Sequence, residues 1–156
     1  MSVRQVSVIA PCRNERDHVA AFCDAVAAQV LPPDVALEVL VADGQSDDGT
    51  REILARRAAD DPRFVLVDNP RRIVSTGLNR CIERAQGEVI VRMDLHTRYE
   101  PDYIAECLAA LERSGAANVG GPWRAEGDDS EMQEAIAAAF QSRWVTGGAR
   151  SRALDY

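Results

Sequence analysis

The chain has 156 residues, of which 46% are hydrophobic and 28% are charged, an ordinary balance for a single globular domain. All 18 basic residues are arginine, and the formal net charge is −7. An acidic chain without a run of basic residues argues against nucleic acid as a partner.

Short apolar runs alternate with segments of helical periodicity along most of the chain. The apolar runs are rich in β-branched residues, and the helical segments repeat apolar residues at i, i+3, i+4 and i+7. In chain order, the predicted elements are a strand at 6–10, a helix at 19–30, a strand at 37–42, a helix at 50–59, a strand at 64–67, a helix through 78–85, a strand at 89–93, a helix at 101–111, a strand at 118–122 and a helix after 130.

Several of these boundaries carry local signals. Asn14 is the predicted N-cap of the first helix, which Pro32-Pro33 should end. Pro101 occupies the first position of a later helix, and residues 130–133 form a capping box. The tail at 146–156 has no clear periodicity.

The alternation of strands and helices predicts an α/β fold with a mostly parallel, Rossmann-like sheet and helices on both faces. Without an internal repeat, a low-complexity tract or a linker, we expect one domain over residues 1–156. The carboxyl ends of parallel strands share one edge of the sheet. We therefore expect the loops at 11–15, 43–50, 69–72 and 94–99 to converge there.

The strand at 89–93 is followed by a carboxylate and, two residues later, by an imidazole. Because side chains alternate along an extended chain, Asp94 and His96 can point to the same side and hold one divalent ion. Magnesium prefers oxygen ligands, and an imidazole moves the preference toward manganese. The alternative is a strand that ends in an ordinary polar turn.

A second carboxylate, Asp43, directly follows the strand at 37–42. It can accept a hydrogen bond from a nucleobase or a ribose hydroxyl, although it can also be a turn former like Asp47 and Asp48. Four arginines near the predicted loops are candidates for binding phosphate: Arg71, Arg72, Arg92 and Arg98. For the arginine at 92, which lies in a strand, an internal ion pair explains the residue equally well.

The remaining candidate residues favour structural roles. The four cysteines form no C-x-x-C pair, which argues against zinc, and Cys23, Cys81 and Cys107 fit core positions in a protein of the reducing cytosol. Trp123 and Trp144 are also predicted core residues. Residues 44–49 lack the spacing of a phosphate-binding glycine loop, and no signal peptide or membrane-length apolar run occurs.

Four segments together resemble the inverting, family 2 glycosyltransferases of the GT-A fold. They are Val-Ile-Ala-Pro-Cys-Arg-Asn-Glu at 8–15, the Asp-rich loop closing in Asp-Gly-Thr at 41–50, Ala-Gln-Gly-Glu at 85–88 and Asp-Leu-His at 94–96. The form Asp-x-His-x-x-Tyr, with Asn-Pro-Arg-Arg before it and Gly-Gly-Pro-Trp after it, is most similar to succinoglycan-type glucosyltransferases of bacterial exopolysaccharide synthesis. The resemblance covers nearly the whole chain.

The resemblance implies a UDP-sugar donor, with glucose expected, a divalent cation (Mn or Mg) and a glycan or lipid-linked acceptor. The implied cation ligands are Asp94 and His96, the histidine replacing the usual second aspartate. The full-length protein is expected in the cytoplasm, and any membrane association is expected at the inner face of the cell membrane. The implied nucleotide-binding residues are Pro11, Arg13, Glu15, Asp43, Arg72 and Asp94.

The chain departs from the family pattern beyond the metal motif. The family's general base lies in an acidic motif well past that point, and Gln141–Trp144 falls too early and one residue short for the acceptor motif. Helix-dipole stabilisation accounts for the acidic residues at 128–134. We therefore expect 1–156 to be the nucleotide-sugar half of the domain, truncated before the acceptor and base region and weak in transfer alone. The alternatives are a nucleotidyltransferase and a non-catalytic nucleotide-binding or interaction module.

Overall fold

The computed structural model describes residues 3–122, 125–126 and 130–146. The helices and strands of the described residues are, in chain order, β1 (Gln5–Cys12), α1 (Arg16–Ala27), β2 (Ala36–Asp43), α2 (Thr50–Asp60), β3 (Phe64–Asp68), α3 (Val74–Arg84), β4 (Val89–Arg92), α4 (Tyr103–Ser114), α5 (Glu131–Gln141) and α6 (Arg143–Thr146). The chain divides into two compact units, Met1–Ala109 and Ala110–Tyr156. The first unit contains the sheet and the second contains α5 and α6.

The four strands of the first unit form one sheet in the order β3-β2-β1-β4, and every neighbouring pair is parallel. The register pairs Cys12 of β1 with Asp43 of β2, and Asp43 in turn with Asp68 of β3. The carboxyl ends of three strands are therefore level with one another. The predicted convergence of their loops at one edge follows from this register.

Helices cover both faces of this sheet, as the sequence predicts. On one face, alternate residues of β1 such as Val6 and Val8 pack in a core with α1, α2 and the start of α4. On the other face, Ile9 and Leu40 pack in a second core with Cys81 of α3. Burying a side chain such as Leu40 contributes about 1.5–3 kcal/mol, so the two cores fix which way each strand faces.

The motif at 85–88 lies at the opposite, amino-terminal edge of the sheet, where its contacts explain it. Gly87 donates its backbone N–H to Ser7 Oγ (2.9 Å), and the Ser7 hydroxyl donates to Glu38 (2.6 Å). A Cβ at Gly87 would lie 2.5 Å from the backbone nitrogen of Ser7, which leaves no room for a larger residue. Glu88 accepts hydrogen bonds from two backbone N–H groups at the start of β1. This motif therefore joins β4 to β1 and lies away from the strands' carboxyl ends.

The structure differs from the sequence prediction at several helix ends. Helix α1 begins after Glu15 without a side-chain cap, so Asn14 is not the N-cap. It ends at Ala27, because the N–H of Val30 bonds to the carbonyl of Pro101 (2.8 Å) instead of continuing the helix. Pro101 itself lies in the turn that precedes α4.

Two predictions for the second unit are wrong, and one is confirmed. Residues 118–122 form no strand, since the paired glycines supply no side chains to pack on a sheet. Trp144 is 97% exposed and is not a core residue. Ser130 is confirmed as the N-cap of the predicted capping box, because its Oγ accepts a hydrogen bond from the N–H of Gln133. The predictions for Trp123 and for residues 147–156 fall outside the described residues. No helix in the described part of the chain is long and apolar enough to cross a membrane.

Candidate functional site

A cavity of about 220 Å³ lies at the carboxyl edge of the sheet, in the first unit. Four segments supply its walls, and each is the end of a strand or the loop that follows it, together with the first residue of α3. The lining residues are Pro11, Cys12, Arg13, Glu15, Gly44, Asn69, Arg72, Ile73, Val74, Arg92, Asp94, Leu95 and His96. The site therefore lies where the sequence analysis expects the loops to meet.

Most of the residues predicted from the sequence lie in this cavity. Of the predicted nucleotide and metal residues, those that line it are Pro11, Arg13, Glu15, Arg72, Asp94 and His96. Of the other arginine candidates, Arg92 lines the cavity, whereas Arg71 and Arg98 are not among its lining residues. The structure brings the candidate residues together, and their individual binding roles stay predictions.

Asp43 lies beneath the cavity wall and is not one of the lining residues. Its side chain is 0% exposed, and its carboxylate accepts hydrogen bonds from the N–H of Ser46 (3.2 Å) and from Arg51 Nη1 (2.9 Å). Arg51 also reaches Asp68 through Nη2 (2.5 Å), and its hydrogen bond to Asp43 raises the pKa of its guanidinium. Arg51 thus connects the ends of β2 and β3, while Gly44, the next residue after Asp43, forms part of the wall.

The loops after β1 and β2 are joined by reciprocal hydrogen bonds. The amide of Asn14 donates to Asp47 Oδ1 (3.0 Å), and the N–H of Asp47 donates to Asn14 Oδ1 (3.1 Å). Next to this pair, the N–H of Glu15 donates to Thr50 Oγ1 (2.9 Å). The Thr50 hydroxyl donates to Asp48, which lowers the pKa of that carboxyl. The Asn-Glu and Asp-Gly-Thr motifs therefore fix the wall that carries Pro11 to Glu15.

Arg72 is positioned by an unusual backbone conformation. Its φ is 58°, in the left-handed region that L-residues seldom adopt, and so is that of Gln45 (57°). The two side chains meet, because Arg72 Nε donates to Gln45 Oε1 at 2.8 Å. Strained residues of this kind cluster at functional sites. The guanidinium keeps further N–H donors for a ligand, since a neutral amide is its partner here.

Asn69 fixes the loop after β3 and also lines the cavity. It is 3% exposed, its amide donates to the carbonyl of Ile73 (2.9 Å), and it accepts the hydroxyl of Thr76 (2.8 Å). The N–H of Arg72 bonds to the Asn69 carbonyl at 3.0 Å. This residue therefore positions both the arginine and the apolar rim formed by Ile73 and Val74.

Asp94 is held through its backbone as well as its side chain. The N–H of Asp94 donates to the hydroxyl of Tyr99 (2.7 Å), and the Asp94 carbonyl accepts the N–H of Thr97 (3.2 Å). Its carboxylate accepts two hydrogen bonds from Arg92, from Nε at 3.1 Å and from Nη2 at 3.2 Å. The internal ion pair considered for Arg92 is therefore present, and it lies at the cavity.

His96 lines the same cavity and approaches the loop after β1. Its Nδ1 is 3.7 Å from Glu15 Oε1, and the imidazole is largely exposed. Cys12 also lines the cavity, but burial and the nearby Asp43 carboxylate raise the pKa of its thiol. A thiol with a raised pKa is a poor nucleophile near neutral pH, so we assign no chemistry to Cys12.

The donor set agrees with a cation that is shared with a ligand. Asp94 offers carboxylate oxygens and His96 an imidazole in one cavity. Within the described residues, no group of three or more His, Cys, Asp and Glu side chains is placed to hold a metal. Magnesium and manganese sites with one or two protein ligands take the rest of their shell from water and phosphate. The residues therefore fit a divalent cation that binds together with a diphosphate.

Sequence reasoning missed several residues of this site. Asn69 directly follows β3, just as Gly44 follows β2, so its position after a strand was an available signal. Arg51 lies in a helix, and its pairing with two strand ends depends on the order of strands in the sheet. Ile73 and Val74 lie at the start of α3, where apolar residues are expected to be core residues.

Comparisons with known proteins agree with this geometry. The family model of Glycosyl transferase family 2 matches residues 7–152. The succinoglycan biosynthesis protein ExoA of Rhizobium meliloti is 35% identical over 147 residues, which are 93% of this chain and 44% of that protein. The teichuronic acid biosynthesis glycosyltransferase TuaG of Bacillus subtilis, a putative assignment, is 33% identical over 71% of this chain and 44% of its own. The chain thus spans less than half the length of these relatives.

Solved structures show the same fold. The mannosyltransferase PcManGT from Pyrobaculum calidifontis, in complex with GDP-Man and Mn²⁺, superposes with a TM-score of 0.66 at 29% identity, covering 80% of this chain and 36% of that one. TarS of S. aureus, in complex with UDP-GlcNAc, has a TM-score of 0.58 at 18% identity over 78% of this chain and 38% of its own, which speaks for the fold alone. These neighbours are GT-A glycosyltransferases, as the sequence resemblance predicts. The chain belongs to glycosyl transferase family 2.

Proposed function

We propose that the cavity at the carboxyl edge of the sheet binds a nucleoside diphosphate sugar together with a divalent cation. In the full-length protein it would serve an inverting glycosyltransferase of exopolysaccharide synthesis. The observation that carries the proposal is that six residues chosen from the sequence lie in one cavity. The similarity to ExoA, a succinoglycan biosynthesis protein, supports the assignment to exopolysaccharide synthesis. UDP-glucose is the proposed donor, and the acceptor is a glycan or lipid-linked hydroxyl.

The charges of the cavity suit a diphosphate. Arg13 and Arg72 line it from the loops after β1 and β3, and Arg13 has no hydrogen-bond or ion-pair partner within the described ranges. Guanidinium groups bind phosphate oxygens through paired N–H donors. These two arginines would therefore hold the diphosphate of the donor between them.

The loops of β1 and β2 would hold the nucleoside. Pro11 and Gly44 give the cavity a small, partly apolar surface against which a base can pack. Beneath them, Asp43 is a buried carboxylate that fixes this wall through Ser46 and Arg51, and a hydrogen bond from the base or ribose to Asp43 would require the wall to move. GDP-Man occupies the structure of PcManGT and UDP-GlcNAc that of TarS. Our preference for UDP rests on the sequence resemblance.

Asp94 and His96 are the proposed ligands of the cation. When bound, a divalent cation neutralises charge that develops on a departing diphosphate. Tyr99 and Thr97 hold the backbone on either side of the Asp94 peptide, so the carboxylate is presented from a fixed position. Glu15 Oε1 lies 3.7 Å from His96 Nδ1, and a small shift would let it accept a hydrogen bond from Nδ1–H, which leaves Nε2 for a metal.

Isothermal titration calorimetry with UDP tests this proposal directly. The 156-residue chain should bind UDP in Mn²⁺ and much more weakly in EDTA. Asp94→Asn should lower the affinity in Mn²⁺ by roughly tenfold or more, because a ligand to the cation is lost. Asp60→Asn is the matched control, since Asp60 is exposed at the end of α2 and does not line the cavity. Binding that does not depend on the metal, or equal losses in both variants, would contradict the site.

A further inference from the structure

The ion pair between Arg92 and Asp94 occupies the carboxylate that the proposed cation needs. Both oxygens of Asp94 accept hydrogen bonds from Arg92, at 3.1 and 3.2 Å. The two residues line the cavity, and their side chains are 55% and 33% exposed, respectively. The contact is therefore an accessible, bidentate pair at the binding site.

The two partners differ in how firmly they are held. Asp94 is fixed through its backbone by Tyr99 and Thr97, whereas the structure gives the Arg92 guanidinium the Asp94 carboxylate as its hydrogen-bonding partner in the described residues. An exposed ion pair of this kind contributes little and exchanges readily. If one partner moves, it will be the long arginine side chain.

A divalent cation and a guanidinium compete for the same two oxygens. A metal ligand oxygen lies about 2.0–2.1 Å from Mg²⁺, so a guanidinium still bonded to that oxygen would face a double positive charge at short range. A diphosphate that arrives with the cation supplies a new anion in the same cavity. The guanidinium of Arg92 can then form with a phosphate the same kind of bidentate pair that it leaves at the carboxylate.

We propose that Arg92 is an exchangeable counter-ion of the donor site. Without ligand it neutralises Asp94, and when the cation and nucleotide bind it releases Asp94 to the cation and pairs with the diphosphate. This inference rests on the proposed function, since it requires a cation at Asp94. With the cation and nucleotide bound, Arg92 contacts the nucleotide. Without them, it competes with the cation for the Asp94 carboxylate.

The same contact has a second explanation, in which Arg92 orients Asp94 for the cation and remains bonded to it. The two explanations predict opposite effects of removing the guanidinium. Competition predicts that the variant binds the cation more tightly, whereas orientation predicts weaker binding, as for other partners of metal ligands. Cation affinity without nucleotide therefore distinguishes them.

The experiment compares Arg92→Met with Arg63→Met in two titrations. Arg63 forms a bidentate pair with Asp61, also two residues apart in sequence, and lies outside the cavity. Its substitution controls for the loss of one positive charge. Mn²⁺ binding without nucleotide is followed by water-proton relaxation, and UDP binding in saturating Mn²⁺ by calorimetry.

We expect Arg92→Met to bind Mn²⁺ about two- to fivefold more tightly than wild type, which is the range that an exposed ion pair accounts for. Its affinity for UDP in Mn²⁺ should fall about tenfold, because a charge-assisted hydrogen bond to phosphate is lost. Arg92→Lys keeps the charge without the paired donors and should lie between. Arg63→Met should match wild type in both titrations.

Weaker or unchanged Mn²⁺ binding by Arg92→Met would overturn the exchange, and so would an unchanged affinity for UDP. These outcomes leave the proposed function intact as long as wild type binds UDP in a metal-dependent way. Failure of wild type to bind Mn²⁺ with or without UDP would instead refute the metal site itself, and the inference with it.

Discussion

Removing Arg51 should destabilise the protein through the buried charge of Asp43. The Asp43 carboxylate is 0% exposed, and Arg51 is the cation that contacts it, at 2.9 Å. In Arg51→Met the carboxylate keeps the backbone N–H of Ser46 but loses its counter-charge. Deleting one partner of a fully buried pair costs about 3–5 kcal/mol. Arg51 is 39% exposed, so water can enter the vacated space, and we expect about 2 kcal/mol.

Urea denaturation followed by circular dichroism measures this cost. A loss of about 2 kcal/mol corresponds to a fall in Tm of roughly 4–8 °C for a chain of this length. Arg63→Met, which breaks a more exposed pair, should cost about 0.2–1 kcal/mol. Asp43→Asn should recover part of the loss in the Arg51→Met background, because no buried charge then remains. If Arg51→Met is as stable as Arg63→Met, Asp43 does not depend on Arg51.

Three further substitutions test separate parts of the account. Gly87→Ala should cost about 2–3 kcal/mol in urea denaturation, because its Cβ would lie 2.5 Å from a backbone nitrogen of β1. The control, Gly120→Ala, has open space around the new Cβ and should change stability by less than about 0.5 kcal/mol. Tyr99→Phe removes the acceptor of the Asp94 N–H and should weaken UDP binding in Mn²⁺ by roughly tenfold in calorimetry. Glu88→Gln should flatten the loss of unfolding free energy below pH 4.5, because two backbone N–H groups lower the pKa of Glu88 from 4.5 in the folded state.

The sign of the last effect follows from proton linkage. A carboxyl whose pKa is lower in the folded state stabilises the fold above its unfolded pKa, and that contribution is lost as pH falls through the folded value. A steeper acid dependence in Glu88→Gln than in wild type would contradict the assignment. Equal stability of the two glycine variants would contradict the close contact at Gly87, and a Tyr99→Phe protein with unchanged UDP affinity would show that this hydroxyl does not position Asp94.

The sheet and its helices could be predicted because their signals are local. Each strand is a short apolar run, and burial on both faces requires that pattern. Asp94 and His96 were predictable site residues for the same reason, since they lie in the loop after β4 and the carboxyl ends of parallel strands meet. Most of the site residues can therefore be predicted from the order of strands and polar loops along the chain.

Features that depend on partners distant in sequence could not be predicted. Asn14 is a residue type that commonly caps helices, but its side-chain amide bonds to Asp47, in the loop after β2. Helix periodicity places Arg51 on a polar face without showing that it contacts two strand ends. The glycine pair at 120–121 follows apolar residues that resemble a strand, yet strand formation depends on a neighbour to pair with.

The central claim is that one cavity at the carboxyl edge holds the diphosphate and its cation. A crystal structure of the chain soaked with UDP and Mn²⁺ tests it most directly, with the anomalous signal of manganese marking the ion. The account predicts manganese bonded to Asp94 and His96, and the diphosphate beside Arg13 and Arg72. Manganese bound elsewhere, or UDP in a different part of the molecule, would contradict it.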